Sequence, residues 1–102
     1  MPRDGYSFSA EVWLSTGNST TWHFLSVPED VADDIDERYG HLAKGFGSQK
    51  VEVTIGATTW QTSVFPDTKR GTCILPVKAA VRKAEDLSDG SVAEVRLLVI
   101  TE

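Results

Sequence analysis

The sequence predicts an α+β fold: a small, mostly antiparallel, partly closed β-barrel of about six strands with two packed helices, in the order β-β-α-β-β-β-α-β. Three observations carry that expectation. Several short segments alternate apolar and polar residues, the period of a half-buried strand. Turn-forming residues separate these segments closely enough for neighbours to pair as hairpins. Only two segments have helical spacing, too few for a repeated strand-helix-strand crossover.

From Tyr6 to Leu14, Phe8, Ala10, Val12 and Leu14 fall on one face, and Ser7, Ser9, Glu11 and Trp13 on the other. Ser15 to Thr20 contains Gly17 and Asn18, a turn composition that returns Thr21–Val27 antiparallel with Trp22 and Phe24 on one side. Pro28 suits a first helical position, where its missing N–H leaves nothing unpaired, and Glu29, Asp30 and Asp33 favour the positive end of the helix dipole. A helix is predicted from Pro28 to Tyr39, with Val31, Ile35, Tyr39 and Leu42 on one stripe. Gly40 closes it. Lys50–Ile55 is a third strand, Gly56-Ala57 a tight turn and Thr58–Phe65 the hairpin partner. Pro66 to Gly71 is another turn, and Thr72–Leu75 a short strand. A second helix is predicted from Pro76 to Asp86, with Val77, Ala80, Val81, Ala84 and Leu87 on its core face and Lys78, Arg82 and Lys83 pointing away. Asp89-Gly90 turns the chain into a last strand, Ser91–Thr101.

The 102 residues are expected to form one domain, 1–102, and 40% of them are hydrophobic, which excludes a disordered chain. A net charge of −5 argues against a histone-like nucleic-acid binder and against a polyanionic tail. The charge is unevenly spread. Residues 1–43 hold two bases and eight acids, residues 44–84 seven bases and two acids, and residues 85–102 one base and five acids. Cys73 is the only cysteine, so an internal disulfide and a thiolate zinc cluster are both excluded, and a reducing cytoplasm is the expected setting. The start lacks the apolar core of a secretory signal, and no stretch approaches the ~20 apolar residues needed to span a bilayer, so no membrane partner is expected. Asn18-Ser19-Thr20 fits the glycosylation sequon but reads as a turn without an export signal.

The chemistry-bearing residues form no known catalytic motif. Cys73 reads as a buried strand residue, and His23 and His41 lack the paired ligand spacing of a metal site, so no metal and no cofactor are expected. No Gly-x-Ser-x-Gly elbow occurs. Gly45-Phe46-Gly47-Ser48 leads into a strand, whereas a phosphate-cradling loop leads into a helix, so it reads as a plain turn. Trp13, Trp22 and Trp60 fit core packing or the wall of a ligand cleft. Trp13 stands out because it shares the polar face of its strand.

The basic segment is the most informative feature. Lys78 and Arg82 stand four apart on the predicted helix, and Lys69 and Arg70 occupy the turn before the strand that feeds it, so four positive groups are expected to converge on an anionic ligand. The competing reading is a solvated face paired with acids from either end of the chain.

The segment from Lys44, KGFGSQKVEVTIGATTWQTSVFPDTKRGTCILPVKAAVRKA, together with the earlier WHFLSVP, resembles the bacterial family catalogued as domain of unknown function nineteen-oh-five. The similarity lies in an aromatic strand ending in Val-Pro at Trp22–Pro28, a Trp-x-Thr-Ser strand ending in Phe-Pro at Trp60–Pro66, and Leu-Pro-Val-Lys with a following Arg at Leu75–Lys78 and Arg82. Ser91 departs from the acid expected after Gly90. The resemblance implies a compact β-barrel-like fold with no established activity and no catalytic residue to carry over. Some relatives carry a C-terminal helical module linked by name to bacteriocin protection, which this chain is expected to lack.

The sequence therefore points to a binding or interaction domain for a small anionic ligand, with Lys69, Arg70, Lys78 and Arg82 beside Trp13 and Trp60. Two alternatives stay open: a small enzyme with an aromatic-lined cleft using Glu52, Asp67 or Cys73, and a nucleic-acid-binding accessory protein, disfavoured because acidic ends repel phosphate.

Overall fold

The computed structural model describes residues 5–17 and 20–101, apart from the side chain of Phe46. Six strands, β1 (Gly5–Gly17), β2 (Thr20–Ser26), β3 (Gln49–Ile55), β4 (Thr58–Asp67), β5 (Thr72–Pro76) and β6 (Val92–Val99), accompany two helices, α1 (Glu29–Tyr39) and α2 (Ala79–Glu85). The order along the chain is the predicted one. The strands close a full ring, β1-β2-β5-β4-β3-β6, with every neighbouring pair antiparallel.

Closure depends on two long strands that each serve two sheets. β1 pairs with β6 through Gly5–Glu11 and with β2 through Val12–Gly17, while β4 pairs with β3 through Thr58–Val64 and with β5 through Phe65–Asp67. Strands that change sheet in this way make the corners of a barrel. β4 thus runs beyond the expected turn at Pro66, because past Val64 it no longer has β3 beside it and the missing proline N–H breaks no rung on that side. The turn between β1 and β2 includes Asn18 and Ser19, which lie outside the described residues, and with them the sequon.

Inward positions follow the period of two. Val12, Leu25, Val51, Val53, Val64, Leu75, Ala93, Val95, Leu97 and Val99 fill the barrel, and Trp60, opposite Val53, is 9% exposed. Antiparallel order puts the starts of β1, β3 and β5 at one mouth and those of β2, β4 and β6 at the other. α1 seals the first mouth with Ile35, its Asp34 accepting a 2.6 Å hydrogen bond from the Tyr6 hydroxyl of β1. Gln49 Nε2, at the start of β3, donates to the Tyr39 carbonyl at 2.7 Å. α2 seals the second mouth with Val81, and its Glu85 carboxylate accepts from Thr58 Oγ1 at 2.6 Å and from the Ala57 amide at 3.3 Å.

The second helix is shorter than its periodicity implied. Pro76 ends β5 opposite Phe24, the Val77 amide donates to the His23 carbonyl, and the helix opens only at Ala79 with Lys78 as N-cap. In so short a helix Val81 faces the core, whereas Ala80 and Ala84 face solvent, contrary to the predicted apolar stripe. Gly40 takes an ordinary helical conformation and leads into a 3-10 turn, Gly40–Leu42, so its freedom is not what ends α1. Among the described residues no helix is long and apolar enough to cross a membrane.

Candidate functional site

With both helices at the mouths, the outer surface of the β1-β2-β5 side is open. Alternation turns Trp13 of β1 and Trp22 and Phe24 of β2 outward, and the hairpin register sets Trp13 beside Phe24 and Ser15 beside Trp22. The three rings form a row. Trp22 and Phe24 lie 6.3 Å apart between ring centroids at an interplanar angle of 15°, and Phe24 and Trp13 lie 5.1 Å apart at 37°. Trp13 Nε1 donates to Ser26 Oγ at 2.9 Å, which holds that indole against the sheet. Trp22 is 55% exposed.

A cation stands at each end of the row. The Arg70 guanidinium carbon lies 3.6 Å from the Trp13 ring centroid, within cation-π range. The β4-β5 turn presents it: Asp67 Oδ1 accepts from the Lys69 and Arg70 amides at 3.1 and 3.4 Å, and Asp67 Oδ2 pairs with Arg70 Nε at 3.4 Å. An aspartate that binds the two amides after it fixes a tight turn from its own side chain. At the other end Lys78 lines a groove of about 140 Å³ with Trp22, His23, Trp60, Gln61 and Thr62. Burial, then the Arg82 charge, pulls His23 below its ordinary pKa, and its buried Nδ1 has no hydrogen-bond partner among the described residues.

The four predicted cations therefore do not converge. Lys69 and Arg70 precede β5 and Lys78 follows it, a separation of roughly 15 Å at ~3.3 Å per strand residue. Arg82 turns back, its Nε donating to the Val77 carbonyl at 3.1 Å, so it secures the start of α2. Trp13 and Trp60 also part company: Trp13 joins the outer row with Arg70, and Trp60 backs the groove beside Lys78. Trp22 and Phe24, absent from the predicted site, link the two groups. The signal for them was the hairpin itself, since pairing two alternating strands aligns their outward aromatics.

A second concavity lies at the α1 mouth. A cleft of about 410 Å³ has Ala32, Ile35, Val64 and Cys73 on its apolar side and Asp33, Asp36 and Asp67 on its polar side. Burial pushes the Cys73 thiol up to about 11, so it is protonated at neutral pH and a poor nucleophile. Glu52 lies far from it, in a shallow polar depression on the outside of β1, β3 and β6. Of the three residues considered for an enzyme, Asp67 and Cys73 line one cleft and Glu52 lies outside it. No group of three or more His, Cys, Asp or Glu side chains is placed to hold a metal among the described residues.

The pattern that defines the family Domain of unknown function (DUF1905) matches residues 8–97, from β1 into β6. The chain belongs to that family. The DUF1905 match takes in the aromatic row, both flanking cations and the cleft. Ser91, where an acid was expected, accepts the Ser88 amide through its Oγ at 2.9 Å, so a hydroxyl closes the last turn of this DUF1905 barrel. No curated protein matches the chain.

Proposed function

We propose that this protein is a binding module whose outer aromatic face takes an anionic ligand bearing a flat ring system. The observation that carries the reading is the row Trp22-Phe24-Trp13 with Lys78 at one end and Arg70 at the other. Aromatic faces left in water cost free energy that a stacked ring recovers, and a nearby ammonium or guanidinium selects for negative charge. Lys69 adds charge beside Arg70, and Trp60 gives the groove under Lys78 a rigid wall. Arg82 supports the site by holding the start of α2. Exposed Trp22 continues through half-buried Phe24 to half-buried Trp13 as one contiguous row, which is the pattern of an interaction surface. The lone protonated thiol suits a reducing compartment, so the cytoplasm of a bacterium is the proposed setting.

The test is a ligand panel read by tryptophan fluorescence and calorimetry: nucleoside monophosphates, ring-free sugar phosphates and uncharged nucleosides. Ring-bearing anions should bind, ring-free phosphates should not, and Trp22→Ala and Lys78→Ala should each weaken binding at least fivefold. Equal binding of ring-free phosphates, or binding indifferent to both substitutions, refutes the proposal.

A further inference from the structure

We infer that the ligand of this face is single-stranded nucleic acid, an inference that rests on the binding reading above and names its substrate class. A single nucleotide needs one ring to stack on and one cation for its phosphate. The face offers three rings in sequence, crossing from β2 to β1, with the cations at opposite ends of the row. An extended strand uses such an arrangement, laying successive bases on Trp22, on Phe24 and on the Arg70 guanidinium that covers Trp13, while its backbone passes from Lys78 towards Lys69. A duplex does not, because its bases are already stacked and paired inside it.

Much of the negative charge lies away from the row. The acids of α1, among them Asp30, Asp33, Asp36 and Glu37, belong to a helix that closes the first mouth, and Glu85 and Asp86 to the end of the helix at the other. Carboxylates also stand near the row: Glu11, two residues before Trp13 on the outer side of β1, Asp67, which is paired with Arg70, Glu29, whose carboxylate lies beside Gly71, and Asp89, whose charge acts on His23 of the groove. With so few phosphate contacts the affinity should come mainly from stacking, and its salt dependence should be shallow, with a log-log slope of about −2. Ser15, beside Trp22 in the register, and Gln61 and Thr62 of the groove offer hydrogen bonds to base edges without a fixed pattern, which suits weak sequence preference.

The experiment is a fluorescence-anisotropy titration of the whole chain with end-labelled oligothymidylates of one, two, four and eight nucleotides, a duplex of eight base pairs and a proline-rich decapeptide. Affinity should rise at least tenfold from one to four nucleotides and then level off, the duplex should bind at least tenfold more weakly than the octamer, and the peptide should not bind. Trp22→Ala should weaken octamer binding about tenfold, with an unchanged melting midpoint because the side chain is mostly exposed. If the mononucleotide binds as tightly as the tetramer, the oligonucleotide inference fails and the ring-anion reading stands. If nucleotides and oligomers all fail to bind, both fall. Binding of the duplex as tight as that of the octamer, or of the peptide in place of the oligomers, overturns the inference.

Discussion

His23 shows how one residue can carry a pH dependence. Burial first and the Arg82 charge second hold it below its ordinary value, with Asp89 opposing. The unfolded chain takes up a proton near pH ~6.5 that the folded chain refuses, so His23's contribution is present above that pH and is lost as pH falls through the lower folded value. Urea midpoints should therefore drop between pH 7.5 and 5.5, and drop less in His23→Gln; equal drops would show that His23 is not responsible. Asp34 acts with the same sign at lower pH. The Tyr6 hydroxyl, and then Arg38, hold its carboxyl below the usual range, so its contribution is present above about pH 4 and is lost as pH falls further. Tyr6→Phe should move the acid unfolding midpoint up in pH. Legibility at this scale was partial. Trp13 declared itself by sharing a strand face with Ser7, Ser9 and Glu11, but nothing in the spacing of Arg82 signalled that its guanidinium would fold back onto Val77.

At the scale of elements, the β3-β4 turn and α2 are fastened together. Gly56 has φ +60°, and a Cβ there would overlap the Glu85 carboxylate that bonds Ala57 and Thr58. Gly56→Ala should cost about 2 kcal/mol in urea denaturation, through the left-handed backbone and the displaced carboxylate together. In a Glu85→Ala background the same change should cost less, since only the backbone term remains; an undiminished cost would mean the carboxylate is not involved. Strands and hairpins were readable because alternation and turn chemistry are local. The start of α2 was not. Pro76 suits a first helical position as well as the last residue of a strand, and only the rung opposite Phe24 decides between them. The same non-local pairing moved Lys78 off the helix proper and separated it from Lys69 and Arg70.

For the whole molecule, a closed ring is only as secure as its shortest seams. β5 is held by three register pairs to β2 and three to β4, whereas β3 and β4 share seven. Amide exchange should therefore open β5 at a lower free energy than β3, and uniform protection around the barrel would contradict that view. The same seam carries the proposed site, because β5 joins the turn that presents Arg70 to the residue that presents Lys78. Barrel class was legible from strand count and order. Full closure was not, since it depends on β1 and β4 each bending to serve two sheets. Nor was the 410 Å³ cleft, which residues from α1, β3, β4 and β5 build only after folding. Face and cleft compete as the place where a ligand meets this protein, and chemical-shift mapping with tetrathymidylate separates them. Binding at the face should move the indole N–H signals of Trp13 and Trp22 and the amides of Phe24, Arg70 and Lys78. Shifts centred instead on Ile35, Gln49 and Cys73, or no shifts at all, would contradict it.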